Sequence, residues 1–359
     1  MPLAEKPVLL VGAIEGGSAE EVFRLVAPEI GKLAIGMPDG EGGPRSLWVI
    51  GIWHHIFEEH PQLEITRHPK GIEGMPDWMP AGYHDLMKFK VKDGLDKITI
   101  ENLHYGEYAR ESYATFRKLK DQGIVPSDTK FQVSFPFPED VVRLATTEVR
   151  DFNLISAAYQ DRVVEEVTEV INTIPASELV LQFDINWEVI AVATGDGNAE
   201  PLTLALPGDP LERYLGYIKR MCKPIPSEVA LGLHLCYGNY QHQHYVQPDD
   251  LAICTRMANA GIEAAGRRID YVHMPVPRDR SDDAYFAPLK NLDTQGATLY
   301  IGLVHYTDGV EGTVARLKTF NKHYSGPYGI ATECGLGQRP ADQDLPTLIR
   351  MHREVVEQL

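Results

Sequence analysis

The chain has 359 residues, enough to bury a large core, and its 43% hydrophobic and 24% charged residues are ordinary for a globular protein. Its 51 acidic against 34 basic residues give a formal charge of −17, which argues against nucleic acid or an anionic membrane as partner. With no run near eighteen apolar residues, an N-terminal "MPLAEKPVLLVGAIEGG" unlike a signal peptide, and only four cysteines, the chain reads as a cytoplasmic enzyme acting on a small molecule.

In chain order, apolar β-branched runs at 8–14, 32–37, 130–137, 178–185, 229–236, 269–276, 299–307 and 328–334 read as strands. Amphipathic stretches lie between most of them, clearest at 152–174, 251–266 and 345–359. Strand–helix alternation implies parallel strands with crossover helices, and eight strands is the count of a closed barrel. The expected fold is α/β, one (β/α)8 TIM barrel over residues 1–359. One connection breaks the rhythm. Residues 38–129, between the second and third strands, are too many for a structureless loop and include a helix near 110–123. They read as an inserted excursion with a strand of its own, forming part of a lid over the barrel mouth.

Barrels of this kind carry their chemistry at the C-terminal ends of the strands. Those ends hold Gln182, Asp184 and Glu188 on the fourth, His234 and Cys236 on the fifth and His273 on the sixth. The seventh has His305, Thr307 and Asp308, and the eighth Glu333 and Cys334. His234 and Cys236 are two residues apart, so a strand points both to one face. That pair is either a metal site or a packing coincidence, and the recurrence of such residues on five successive strands favours the site. Cys222 and Cys254 fall in helical patterns and read as packing residues. The glycine-rich "PDGEGGPR" brings Asp39, Glu41 and Arg45 to the same face as substrate contacts, and it lacks the Gly-Lys-Ser/Thr ending of a phosphate loop. Trp48, Trp53 and Trp187 read as packing; His242 and His244 fit a substrate contact and a polar loop equally well.

The succession "QFD", "HLCYG", "VHYTDG" and "TECGLGQR" resembles the catalytic half of cobalamin-independent methionine synthase, in the barrel superfamily shared with uroporphyrinogen decarboxylase. The likeness covers roughly residues 175–345. It implies that His234, Cys236 and Cys334 hold a catalytic Zn2+. It also implies that Gln182 and Asp184 match a Gln-x-Asp whose carboxylate contacts the substrate amino group, and that His305 matches a histidine proposed as proton donor. The family's fourth ligand, a glutamate five residues after a strand aspartate, falls here on Pro275, which cannot bind metal. His273, two residues earlier on the same face, either replaces it or leaves zinc with three protein ligands and an open position; it reads equally well as a hydrogen-bonded barrel residue. The family's N-terminal duplicate half is missing, so the chain reads as a single-barrel, divergent branch.

A His/Cys/Cys zinc site suits thiol chemistry, because the metal keeps a substrate sulfur ionised at neutral pH. The expected function is zinc-dependent methyl or alkyl transfer to a small thiol. A zinc-dependent lyase or hydrolase on the same barrel and a metal-free decarboxylase-like relative stay open. A folate is one alkyl donor consistent with the resemblance, and a polyanionic one needs a basic patch on so acidic a protein. Arg45, Lys70, Arg278, Arg280 and Arg339 are the candidates, or bind a smaller carboxylate substrate instead, and Arg339 and Glu188 are counted with the substrate-binding residues.

Overall fold

The computed structural model describes residues 3–196, 204–239, 244–340 and 342–359. The chain runs β1 (Leu3–Val8), α1 (Ala19–Ile30), β2 (Gly36–Pro38), α2 (Val49–Ile52), β3 (Leu63–Arg67), β4 (Lys88–Val91) and α3 (Tyr105–Asp121). There follow β5 (Lys130–Pro136), α4 (Pro138–Val142), α5 (Val149–Thr173), β6 (Leu179–Ile185), α6 (Trp187–Thr194), α7 (Pro210–Cys222) and β7 (Ala230–Leu235). The remainder is α8 (Ala252–Ala264), β8 (Tyr271–Pro275), α9 (Asp283–Phe286), β9 (Thr298–Val304), α10 (Gly309–Phe320), β10 (Tyr328–Thr332) and α11 (Leu345–Val356).

Eight strands form one parallel sheet in the order β1-β10-β9-β8-β7-β6-β5-β2. Its two edges meet just ahead of β2. Val8 and Ala34 form a parallel bridge, with the Val8 N–H donating to Leu33 O at 3.1 Å and the Ile35 N–H donating to Val8 O at 3.0 Å. The sheet therefore closes on itself, with strands in sequential order, as the eight-run reading predicts. Among the described residues no helix is long and apolar enough to cross a membrane.

The barrel interior is filled by rings laid over glycines. A Cβ on Gly232 would lie 1.9 Å from Tyr271 Cζ, and one on Gly329 would lie 2.4 Å from Tyr300 Cε1. Leu9, Val11, Val180, Ala230 and Ala331 complete that inner cluster, while the larger core lies between sheet and helices. Helix α1 shows how the outer layer is specified. Ser18 caps it by accepting the Glu21 N–H at 3.3 Å, and Val22, Phe23, Val26 and Ile30 form its buried stripe.

Two local departures from the sequence pattern concern the barrel mouth. The first strand pairs over Leu3–Val8, ahead of the apolar run at 8–14. Residues beyond Leu10 leave the ladder because the chain turns at Gly12, whose φ of +155° excludes a side chain at low cost. Inside the excursion two strands stand where one was expected, β3 and β4, paired antiparallel. Their long connection is held by the buried carboxylate of Asp85, which accepts the N–H groups of Lys70, Gly71 and Ala81 at 2.8, 3.0 and 3.0 Å. The excursion's last element, α3, is the crossover helix that returns the chain to β5.

Candidate metal centre and the cleft beside it

His234 lies on β7, Cys236 one residue past its end, and Cys334 two residues past the end of β10. The donor atoms of these three residues lie within 4.8 Å of one another. Cys236 Sγ is 3.7 Å from Cys334 Sγ, and Cys334 Sγ is 3.8 Å from His234 Nε2. A tetrahedral zinc with sulfur at about 2.3 Å and nitrogen at about 2.0–2.1 Å sets its donors about 3.6–3.8 Å apart. Both separations to Cys334 therefore fit zinc, and the third pair lies within 4.8 Å. The neighbouring Cys334 thiol, with burial, pushes Cys236 well above the ordinary thiol range.

His273 is not among these donors; it stands behind His234. Its Nε2 is 3.0 Å from Thr332 O, a carbonyl that can only accept, so Nε2 carries the proton. Burial holds His273 down at about 3 and His234 well below the imidazole range, so both rings are neutral near pH 7. Neutral His273 then offers only a lone pair at Nδ1, which lies 2.7 Å from His234 Nδ1. His234 must donate there, which leaves its Nε2 bare and facing the sulfurs. Where a fourth ligand was expected, the structure places a group that fixes the tautomer of the first. His273→Ala should weaken zinc binding by about 10–100-fold in a chelator competition, and His273→Gln, with a carbonyl in reach of His234 Nδ1, should recover part of it. Unchanged affinity in the alanine variant would remove this role.

A cleft of about 900 Å³ opens over the three donors. Its two ionisable wall residues besides the donors and Tyr83 are Glu41 and Asp184. Gln182 does not line the cleft. It donates from Nε2 to Asp184 Oδ1 at 2.8 Å and to Val11 O, while its Oε1 accepts from Tyr271 at 2.9 Å, so it aims the carboxylate. Burial, and then the charge of Glu41, push Asp184 well above the carboxylate range. Burial raises Glu41 to about 7 against the pull of Arg45, and the Ala13 N–H donates to its carboxylate. Two acids thus share a wall that, among the described residues, carries no lysine or arginine.

Asp39 and Arg45 pair with each other, Arg45 Nη2 donating to Asp39 Oδ2 at 2.8 Å, and the guanidinium packs 4.6 Å from the Tyr108 ring centre. They flank Glu41 and do not line the main cleft. Glu188 is fully buried beneath it, accepting the Glu139 N–H at 3.0 Å. Burial and Asp140 push Glu188 well above the usual range. Arg339 pairs with Glu15 at 2.8 Å and Arg280 with Asp282 at 2.9 Å, and of the expected cations Arg278 and Arg339 line one smaller hollow.

His305 lines a smaller hollow on the other side of Cys334, with Glu333, Arg278 and Arg339. Its Nε2 donates to Val276 O at 2.8 Å, and burial takes it down to about 4. Burial opposes ionisation of Glu333, but His244, 3.1 Å away, together with His305 and Arg278, holds it at about 2. His244 is thus a partner of Glu333; His242 lies outside the described residues. Sequence reasoning missed that Trp48, Trp53, Trp187 and Tyr83 form the cleft's aromatic wall. Asn186, two residues beyond Asp184 in "QFDIN", was the one wall residue with a local signal.

No protein-family model matches the chain, and no curated protein sequence is significantly similar to it. Solved structures do resemble it. A B12-independent methionine synthase from a Shewanella species, in complex with selenomethionine, aligns with a TM-score of 0.63 at 13% identity, covering 99% of this chain and 98% of that one. A candidate vitamin-B12-independent methionine synthase from Listeria monocytogenes aligns at 0.53 and 13% identity, covering 94% of this chain and 85% of the other. These likenesses establish the barrel fold.

Proposed function

We propose that this chain is a zinc-dependent transferase that moves a methyl or alkyl group onto a small thiol. The observation that carries the reading is the donor set itself: two sulfurs and a bare imidazole nitrogen at tetrahedral spacing, facing a cleft. His234, Cys236 and Cys334 would hold the metal, which when bound supplies stabilisation of a substrate sulfur as thiolate at neutral pH. Two protein thiolates keep such a sulfur electron-rich. Asp184, aimed by Gln182, and Glu41 hold the substrate's cationic group beside the donors. The apolar wall excludes water from the sulfur, which raises its nucleophilicity. His305 faces the separate hollow; neutral near pH 7 with its one N–H on Val276 O, it would have to take up a proton at Nδ1 before it could pass one to a leaving atom on that side of Cys334.

A second reading has one observation in its favour. The three donors include no carboxylate, because Pro275 stands where the related barrels carry glutamate. A less negative donor set makes the metal more Lewis-acidic, which suits a lyase or hydrolase. Two measurements decide. Protein purified under reductant should carry close to one zinc per chain, and the loaded protein should alkylate a thiol from a methyl donor. Absence of zinc removes both readings in favour of a metal-free relative. One zinc with hydrolysis or elimination and no thiol alkylation leaves the second.

A further inference from the structure

The cleft wall carries information about its ligand that the metal donors do not. Trp48, Trp53, Tyr83, Trp187, Leu47 and Leu86 give it a broad apolar and aromatic surface. Against that surface stand the carboxylates of Glu41 and Asp184, with no lysine or arginine among the lining residues. Three wall residues have a buried polar atom without a protein partner among the described residues. Asn186 Oδ1 and Asn239 Oδ1 are acceptors, and Trp48 Nε1 is a donor. The Ala13 N–H, a backbone donor at the cleft, is already given to Glu41. Each asparagine also carries an NH2 group, but among the described wall residues no lysine or arginine stands against the two acids. An ammonium has three N–H donors and no acceptor; a carboxylate has the reverse.

We infer that the cleft binds a primary amine carrying an aromatic or long aliphatic arm and no carboxylate, rather than an α-amino acid or the anionic part of a folate. This inference rests on the thiol-transfer reading for its chemistry, but binding in the cleft does not require the metal. A carboxylate entering beside Glu41 and Asp184 would meet two acids and no lysine or arginine among the described wall residues, in surroundings of low dielectric. An ammonium there compensates one negative charge, and its three N–H groups can serve the two acids and one asparagine oxygen. The arm covers the tryptophan faces, where a cation close to the ring gains further. Local strain supports a shaped wall: Trp48 sits at φ 52° and ψ −122°, a conformation that is strained for a non-glycine residue.

Three compounds isolate the argument. 3-Phenylpropylamine and homophenylalanine differ only by the α-carboxylate, and 4-phenylbutanoate keeps the arm while replacing the amine by an acid. Calorimetric titration at pH 8, on zinc-loaded and on chelator-treated protein under reductant, should show the amine binding at least about tenfold tighter than either acid in both forms. Asp184→Asn and Glu41→Gln should each lose most of that preference, with circular dichroism verifying that they fold. Homophenylalanine binding as tightly as the amine would overturn the inference and return the site to an α-amino acid. Equal affinity for 4-phenylbutanoate, no binding of any probe, or unchanged preference in folded variants would overturn it too. Zinc content of the same samples reports separately on the metal, so a failure here is distinguishable from a failure of the metal reading.

Discussion

Cys236→Ser and Cys334→Ser are each expected to abolish stable zinc binding. Structural four-ligand zinc sites bind with about 10–16 kcal/mol, so one ligand is worth on the order of 3 kcal/mol, more than a hundredfold in affinity. Here the loss falls on a set of only three donors, with His273 committed to His234 and Thr332 and unable to step in. Metal analysis after dialysis against a chelator checks this directly. Full occupancy in either variant would sink the site. The remaining cysteines are internal controls. Cys222 and Cys254 are buried in the helical layer, and Cys254 Sγ donates to Tyr237 Oη at 3.2 Å. Serine at either position should cost stability and leave zinc in place, because neither sulfur faces the barrel mouth.

The His-x-Cys pair was legible because its geometry is local: period-two alternation puts residues 234 and 236 on one face whatever the rest of the chain does. The role of His273 was not. Alternation gives the face of a strand but not its height against the next strand. In the sheet His234 sits directly opposite Asp184 on β6 and His273 on β8. That row across three strands brings the two imidazoles to 2.7 Å, and no pattern within β8 contains it. The same reasoning separates the barrel from the excursion. Eight apolar runs and three long amphipathic helices fixed the architecture, since each burial pattern repeats along its own segment. Trp48 and Tyr83 reach the cleft only through tertiary contacts of 38–129, where neither spacing nor composition marks them. The pairing of Arg45 with Asp39, six residues away, is likewise a matter of how the loop folds back and not of its spacing.

Glu41→Gln should stabilise the protein at pH 8 while disabling the cleft. The folded-state pKa of Glu41 is raised to about 7 from an ordinary 4.5, chiefly by burial. A raised carboxyl contributes stability that is fully present below about pH 4.5 and is lost as pH rises through about 7, where the buried group must ionise. Glutamine keeps the shape and never ionises. The variant should therefore match wild type near pH 4 and exceed it by on the order of 2–3 kcal/mol at pH 8, the gap opening between those values. Denaturant unfolding at the two pH values measures it. The direction distinguishes a structural acid from a waiting one. A carboxylate held by the fold for its own stability, as Asp39 is by Arg45, loses stability when it is neutralised. A carboxylate kept uncompensated for a cation that arrives with the substrate gains it, at the expense of binding. If Glu41→Gln is no more stable than wild type at pH 8, then Glu41 already has its counter-charge in the protein, and the cleft has no unmet demand for an amine.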